Sequence, residues 1–304
     1  MSIPFHYDVF DPVSFGGTVP VRQPFEASRV LVLPIPFERT TSYVTGTRNG
    51  PRAILEASTQ VELWDEELAV DVYDVGVYTL PLMELPFEDV PSAQQEIHRI
   101  ADGLFATGKY VLSLGGEHSI TAPLVQAATR HHSHLSVLQI DAHADLRESY
   151  LGSRFSHACA MRRLLDTFDP THLTQVGIRH VSQEESETAR RLGTNLFYDF
   201  SMRQDPAWID RVVDSLDEPV YITFDCDGLD PSIMPAVGTP VPGGLSWYEA
   251  LSLLRATFSR RTVIGCDIVE LCPIPGVVSP DFLCARLAYK LMTYRFGPEV
   301  RSQT

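Results

Sequence analysis

Basic residues and cysteines are scarce in this chain of 304 residues. Lys and Arg number 24 against 39 Asp and Glu, which gives a formal net charge of −15. Nucleic acids and anionic membranes are held by clustered Lys and Arg, so this balance disfavours both as partners. The same acidity suits a small cationic substrate, or it serves only to keep the protein soluble.

Two further absences indicate the compartment. The five cysteines are odd in number and form no Cys-x-x-Cys pair, so neither a disulfide framework nor a zinc knuckle is indicated. No run of about 18 apolar residues is present to span a membrane, and no Lys or Arg precedes Arg22 as a secretory signal would require. We therefore expect a soluble, cytoplasmic protein with reduced thiols.

The order of apolar segments predicts the fold class. Short, continuously apolar runs suit parallel strands covered on both faces, and they occur at residues 30–35, 110–114, 136–140, 173–178, 220–224 and 262–268. Amphipathic segments of helical length lie between them, at residues 51–63, 93–106, 158–166, 182–192, 207–216 and 246–258. This alternation predicts an α/β fold around a parallel sheet, in one domain over residues 1–304. Closely spaced Pro and Gly predict an irregular arm over residues 1–28.

Acids and a histidine follow the apolar run 136–140. Asp141, His143 and Asp145 alternate with two alanines. Alternate side chains of an extended chain share one face, so two carboxylates and an imidazole should converge beyond the end of a strand. Ligands of parallel sheets bind at that end. The spacing therefore indicates a metal site, and the small alanines leave room for two ions.

Two more segments repeat this arrangement. Asp225 and Asp227 follow the run 220–224, and two acids at this spacing repel one another unless a cation lies between them. His118 ends another strand segment, whose glycines allow a tight turn before a helix. Alone, an Asp-x-Asp at a strand end is more often a helix cap or a turn, and a single histidine is more often a packed core residue. Three such segments, all at strand ends, together favour metal binding.

The donor types indicate the metal and the reaction. Four carboxylates and two imidazoles, without a set of thiolates, suit a pair of moderately hard divalent ions, manganese before zinc. Cys226 lies between two ligand positions and is expected to point into the core. Two adjacent divalent ions generate hydroxide at neutral pH, so the predicted reaction class is metal-assisted hydrolysis.

Three motifs together resemble the signatures of the ureohydrolase family of arginases and agmatinases. They are Gly-Gly-Glu-His ending at His118, Asp-Ala-His-Ala-Asp over 141–145, and Asp-Cys-Asp-Gly-Leu-Asp-Pro over 225–231. The resemblance runs in the expected order from Gly46 to Glu270. It implies a three-layer arginase-like α/β fold, with a central, mostly parallel sheet of about eight strands between helices. It also implies a homo-trimer or a homo-hexamer.

The resemblance further implies a role for each motif residue. One manganese ion would be bound by His118, Asp141, Asp145 and Asp225, and the second by Asp141, His143, Asp225 and Asp227. Asp141 and Asp225 would bridge the two ions. A metal-bridging hydroxide would attack the guanidinium carbon of the substrate and release urea and an amine.

The catalytic residues implied by the resemblance are Asp145, His157 and Glu270. His157 matches a histidine that passes a proton to the departing amine, which suits a side chain that titrates near neutrality. Glu270 would accept hydrogen bonds from the guanidinium group, and Thr239 would complete the substrate pocket. Without the resemblance, His157 would be interpreted as a locally hydrogen-bonded histidine at a helix start, Glu270 as an ordinary acid and Thr239 as a turn residue.

The segment 146–156 bears on the choice of substrate. Arginases recognise the amino and carboxylate groups of arginine with an asparagine- and serine-rich loop here, and this segment contains no asparagine. It is similar to the loop of bacterial agmatinases, so agmatine, a small cationic guanidine, is the expected substrate, with putrescine and urea as products. Glu148 is expected to bind the far amine. N1-aminopropylagmatine fits the same chemistry, and arginine, guanidinobutyrate and formiminoglutamate are further alternatives within the family.

Two other classes of protein remain as alternatives. A non-catalytic binding subunit with the same fold would typically lack metal ligands, whereas all six ligand positions are filled here. A deacetylase-type amidohydrolase uses a single zinc ion and different motifs. The metal content of the protein distinguishes them, because a pair of manganese ions favours the ureohydrolase and a single zinc ion contradicts it.

Overall fold

The computed structural model describes residues 14–17 and 23–302, and strands and helices alternate along most of that part of the chain. The strands are β1 (Val30–Ile35), β2 (Trp64–Asp65), β3 (Val70–Asp71), β4 (Val77–Thr79), β5 (Tyr110–Gly115), β6 (Ser136–Ile140), β7 (Leu173–Ile178), β8 (Asn195–Tyr198), β9 (Val220–Asp225) and β10 (Val263–Val269). The helices are α1 (Gly50–Ser58), α2 (Val90–Phe105), α3 (Thr121–Thr129), α4 (Ala160–Leu164), α5 (Gln183–Leu192), α6 (Asp199–Met202), α7 (Trp208–Asp214), α8 (Trp247–Arg260) and α9 (Ser279–Arg301). All the predicted strands and helices are present, with ends shifted by a few residues.

Within the described residues, eight strands form one sheet in the order β4-β1-β5-β10-β9-β6-β7-β8. Every pairing in this sheet is parallel. The predicted α/β fold with a central parallel sheet of eight strands is therefore confirmed. The two strands of this sheet that were not predicted, β4 and β8, lie at its edges, and neither is a continuously buried apolar run.

Helices cover both faces of the sheet and make the protein three layers thick. Val30 and Val32 of β1 contact the core beneath α1, α7, α8 and α9, whereas Leu31 and Leu33 contact the core beneath α2, α3, α4 and α5. No helix was predicted over α9. Residues 287–294 are buried without interruption, so this segment lacks the exposed polar face that marks an amphipathic helix.

The strand order brings the predicted ligand segments together. Strands β5, β10, β9 and β6 are neighbours at the centre of the sheet, although the chain runs from β5 directly to β6. A ligand crevice forms where the strand order changes in this way. Ile140 of β6 pairs with Phe224 of β9. Asp141, directly after β6, and Asp225, the last residue of β9, therefore lie side by side at the carboxyl edge.

Some expectations concern parts of the chain that the structure does not describe. Most of the predicted irregular arm, residues 1–13 and 18–22, lies outside the described residues. The assignment of one domain over residues 1–304 stays a prediction. Among the helices of the described residues, none has both the length and the apolarity needed to cross a membrane.

Candidate active site

His118 begins a 3-10 turn directly after β5. The turn passes so close to the neighbouring backbone that a Cβ on Gly116 would lie 1.9 Å from the carbonyl oxygen of Phe37, so only glycine fits there. Nε2 of His118 is 3.0 Å from Oγ1 of Thr223, which itself donates a 2.6 Å hydrogen bond to Asp267. Because the Thr223 hydroxyl has one proton, its oxygen accepts from Nε2–H, and this leaves a lone pair on Nδ1.

Three carboxylates surround Nδ1 of His118. One oxygen each of Asp141, Asp145 and Asp225 lies 3.1 Å from this nitrogen. All four side chains are buried, and among the described residues Nδ1 has no hydrogen-bond partner of acceptable geometry. Buried carboxylates that converge on an imidazole lone pair repel one another unless a cation lies between them. One nitrogen and three oxygens are a suitable donor set for a divalent ion.

A second group of ligands shares Asp141 with the first. Nδ1 of His143 is 3.0 Å from Oδ2 of Asp227 and 3.5 Å from Oδ1 of Asp141, whereas Asp141 faces His118 through Oδ2. Each of the two groups could hold a metal ion. The structure therefore brings together all six residues that the sequence predicted as ligands.

The sequence predicted that Asp141, His143 and Asp145 converge because alternate side chains of an extended chain share one face, and this reason is wrong in part. Strand β6 ends at Ile140, so Asp141, His143 and Asp145 do not lie on one extended strand. Asp145 has a φ of 52°, a left-handed conformation that is uncommon outside glycine. This backbone turn, and not strand alternation, accompanies the approach of its carboxylate to His118. Cys226 is buried in the core, as predicted.

The close approach of these groups changes their pKa values when no cation is present. Burial disfavours the charged form of His118, but the surrounding carboxylates outweigh it and raise its pKa well above the usual value. Burial also disfavours the charged form of His143, but the carboxylates, Asp227 first, outweigh burial and raise the pKa of His143 well above its usual value. Burial, then Asp227 and Asp141, raise the pKa of Asp225 well above its usual range. Protons are thus held where metal cations would bind.

We expect the affinity for divalent cations to fall as the pH falls. Groups with raised pKa values keep their protons to higher pH, and these protons must leave when a metal ion binds. Above those pKa values no proton needs to be displaced, so affinity reaches its maximum there. Titration calorimetry of the metal-free protein with Mn²⁺, in buffers that differ in ionisation enthalpy, counts the protons released. His131→Gln, a substitution on the surface, should leave the count unchanged, and binding without proton release in mildly acidic buffer would contradict the assignment.

Glu270 follows β10 and is tied to the same turn as His118. Its Oε1 accepts a 2.6 Å hydrogen bond from the backbone N–H of His118, and its own N–H donates to the carbonyl oxygen of Gly116 at 2.8 Å. Its φ is 64°, a second left-handed backbone at the site. Burial raises the pKa of Glu270 well above its usual range, and Glu117 and Asp227 add to this effect. A planar cation beside this carboxylate would offset the cost of its charge.

His157 begins a 3-10 turn before α4. Its backbone N–H donates a 2.8 Å hydrogen bond to Oγ1 of Thr40, and its ring lies edge-on to that of Tyr150, with centroids 6.2 Å apart. Both His157 and Thr239 line the same pocket as the ligands and Glu270. The structure therefore brings these predicted residues together.

The pocket is a cavity of about 560 Å³ at the carboxyl edge of the sheet. Its floor is formed by His118, His143, Asp145, Asp225, Asp227 and Glu270. Its walls are two segments, residues 41–44 and 238–242, and Arg147, Tyr150 and His180 also line it. The volume suits a small organic molecule, and the acids on the floor favour one with a cationic end.

Glu148 does not line this pocket. The prediction that it contacts the far end of the substrate is therefore wrong. The side chain is half exposed and forms ion pairs with Arg154 at 2.8 Å, Arg162 at 2.9 Å and Arg163 at 3.2 Å. Two of these arginines lie on α4, which follows the loop. Sequence position alone placed Glu148 near the ligands, but these arginines hold its carboxylate.

Several residues of the site were not singled out from the sequence. The Arg179 guanidinium donates to the carbonyl oxygens of Asp227 at 2.7 Å and Val241 at 2.9 Å, so it ties the ligand turn after β9 to a pocket wall. A Cβ on Gly244 would lie 2.8 Å from Nη2 of Arg179, which explains this glycine. His180 lies with its ring centroid 5.4 Å from that of His143. The sequence signal that could have identified Arg179 and His180 is that these polar residues directly follow the apolar run of β7.

The fold and the donor set define a class, a three-layer α/β protein with two adjoining metal-binding groups at the carboxyl edge of its sheet. A sequence profile of the arginase family matches residues 28–294. An N(1)-aminopropylagmatine ureohydrolase of Synechocystis sp. is 43% identical over 87% of this chain and 88% of its own length. A protein of the same name from Thermus thermophilus is 40% identical, over 88% and 90%.

A solved structure supports the same assignment. The agmatine ureohydrolase of Thermoplasma volcanium superposes with a TM-score of 0.85 at 31% sequence identity, over 96% of this chain and 97% of that one. The chain belongs to the arginase family. It is a ureohydrolase, an enzyme of a family that hydrolyses guanidino groups with release of urea.

Proposed function

We propose that this enzyme uses two manganese ions to hydrolyse N1-aminopropylagmatine, with agmatine as the second candidate substrate. The observation that carries the first choice is the 43% identity to a relative named for that activity. Agmatine, the substrate expected from the sequence, stays second because the solved agmatine ureohydrolase is less similar, at 31%. Both substrates are linear polyamines with one guanidinium end.

The six ligands suit a pair of divalent ions. One ion would be held by the group around Nδ1 of His118, and the other by the group around His143. Asp141 contacts both histidines and would serve both ions, and the resemblance to the family implies the same role for Asp225. Manganese fits a set of carboxylates and imidazoles without thiolate. When bound, the metal pair supplies hydroxide at neutral pH as the nucleophile.

The protein's own residues position the substrate and move the proton. Glu270 accepts hydrogen bonds from the guanidinium and holds its carbon above the ligand groups. His157, on the pocket wall, donates a proton to the amine nitrogen as the carbon–nitrogen bond breaks. The overall reaction adds one water molecule and yields urea and a free amine.

The pocket walls favour a long cation over one that carries a carboxylate at its far end. The acids that line the pocket are members of the two ligand groups or Glu270, and the lining also includes the tyrosine rings of Tyr43 and Tyr150. Aromatic faces attract ammonium groups. The secondary amine and terminal amine of N1-aminopropylagmatine would contact these rings. Agmatine is shorter and would make fewer of these contacts.

Urea release from a panel of guanidines tests the choice of substrate. With manganese present, we expect kcat/KM for N1-aminopropylagmatine to exceed that for agmatine by about 10-fold, since each added apolar contact contributes modestly. Arginine and guanidinobutyrate should be poorer still. Equal or greater kcat/KM for agmatine would reverse the order, and no urea from any guanidine would overturn the proposed reaction.

Arg147 supports one competing candidate, a guanidine that carries a carboxylate. It lines the pocket, and a cation there would attract such a group. However, its guanidinium already lies 5.1 Å from the centroid of the Tyr150 ring and its Nε 3.6 Å from Glu185. Arg147→Met should raise KM for guanidinobutyrate if this candidate is right, and leave it unchanged if it is not.

The resemblance to the family also supports a homo-trimer or homo-hexamer as part of the proposal. The five free cysteines support a cytoplasmic location. Light scattering of the metal-loaded enzyme measures the mass of the assembly directly. A monomer at all concentrations would contradict this part of the proposal without affecting the proposed reaction.

A further inference from the structure

Glu117 is a fully buried carboxylate beside the first ligand group, and it is absent from the predicted site. Its Oε2 accepts hydrogen bonds from the backbone N–H groups of Arg39 and Thr40, both at 2.6 Å. Its Oε1 accepts from the hydroxyls of Thr40 and Ser119, again both at 2.6 Å. Three of these short hydrogen bonds fix the segment 39–40, which follows β1, to the turn that follows β5, and the fourth, from Ser119, lies within that turn.

Thr40 connects this carboxylate to the histidine on the pocket wall. Its Oγ1 accepts the 2.8 Å hydrogen bond from the backbone N–H of His157 and lies 3.4 Å from Nδ1 of the same residue. Hydrogen bonds of catalytic groups are often long before substrate binds and shorten afterwards. Glu117, Thr40 and His157 therefore form a continuous chain from the protein interior to the pocket.

The number of available protons determines which group donates and which accepts in the hydrogen bonds from Glu117 through Thr40 to His157. Thr40 has one hydroxyl proton, which it donates to Glu117, so its oxygen can only accept from His157. Nδ1 of His157 must then carry a proton, because two lone pairs would otherwise face each other. Ser156 Oγ also lies 3.4 Å from Nδ1, but it can donate or accept and does not decide the tautomer.

We infer that Glu117 and Thr40 are positioning residues that hold a proton on Nδ1 of His157 and so reserve Nε2 for the substrate. This inference rests on the proposed role of His157 as proton donor. In the protonated imidazole, Nε2–H transfers its proton to the amine nitrogen as the carbon–nitrogen bond breaks. The neutral imidazole that remains keeps its proton on Nδ1, directed at Thr40.

Thr40→Val tests the chain because it removes the hydroxyl and keeps the shape. We expect kcat to fall by about 10- to 100-fold with KM and metal content unchanged, since the ring loses its orienting partner but the binding groups remain. Thr40→Ser keeps the hydroxyl and should stay within a few-fold of wild type. Ser156→Ala is the matched control, because it removes a hydroxyl at the same distance from Nδ1. Equal losses in Thr40→Val and Ser156→Ala would overturn the inference.

A double-variant cycle separates this role from a purely structural one. If Thr40 acts through His157, Thr40→Val should cause no further loss of kcat in the His157→Ala background. An additive loss would mean that Thr40 supports the fold independently, and it would overturn the inference. Full activity in His157→Ala alone would instead overturn the proposed role of that histidine, so the two failures can be distinguished.

Glu117→Gln provides a second test that does not depend on turnover. The amide oxygen of the variant is needed to accept from the backbone N–H groups of Arg39 and Thr40, so the amide nitrogen faces the Thr40 hydroxyl. This nitrogen cannot accept a hydrogen bond. The Thr40 hydroxyl is then free to donate to Nδ1 of His157, and the tautomer of His157 should change. Nitrogen-15 shifts of the His157 ring, measured with a diamagnetic divalent ion in the site and assigned with His157→Ala, report which nitrogen carries the proton. A neutral ring that is protonated on Nε2 in the wild-type enzyme would contradict the inference.

Discussion

Replacing Asp141 with asparagine is expected to abolish urea release and to remove bound metal. This side chain serves both ligand groups, with Oδ2 placed 3.1 Å from Nδ1 of His118 and Oδ1 placed 3.5 Å from Nδ1 of His143. Both oxygens also accept hydrogen bonds of 2.6 Å, from the side chain of Gln139 and the backbone N–H of His143. An amide supplies one oxygen where two are needed, and it lacks the charge that offsets the cations.

We expect the loss of activity to reach at least about 10³-fold, because both ions lose a charged ligand in a site shielded from water. Elemental analysis of the dialysed protein measures the metal, and a urea assay measures turnover. Asp169→Asn, on the surface before β7, is the matched control and should keep both. An Asp141→Asn enzyme with full metal content and full activity would refute the assignment of this ligand.

Replacing Glu270 with glutamine is expected to have the second-largest effect, on binding of the guanidinium group. The variant keeps an oxygen that can accept from the backbone N–H of His118, so the turn after β5 should be preserved. However, its amide group presents hydrogens to a substrate that is itself only a donor. We expect kcat/KM to fall by about 10²- to 10³-fold, since one partner of a buried charge pair has been removed.

Metal content and stability distinguish this effect from misfolding. Burial raises the pKa of Glu270, so its charge is costly in the free enzyme, and the neutral variant should be at least as stable as the wild type. Glu56→Gln, on the surface of α1, is the control for the substitution itself. Loss of bound metal together with activity would show that Glu270 supports the ligands and does not act on the substrate.

Local patterns in the sequence were sufficient to predict most of the fold. The six strands predicted as continuous apolar runs all lie in the parallel sheet, because strands covered on both faces must be apolar throughout. Strands β4 and β8 at the edges lack such a run. Helix α9 was not predicted for the opposite reason, because its central residues are buried on all sides and show no helical stripe.

The sequence by itself determined which donors are present and that they follow strands, because motif spacing and strand patterns are local properties of the chain. The family resemblance named the carboxylates that face His118, but only the tertiary structure brings them there, because the strand order places β10 and β9 between β5 and β6. It also decided that three arginines hold Glu148 outside the pocket and that Glu117 reaches His157 through Thr40. The links from Thr40 join residues that are 77 and 117 positions apart in the chain. Contacts over such separations depend on how the layers pack, and no short pattern of residues encodes them.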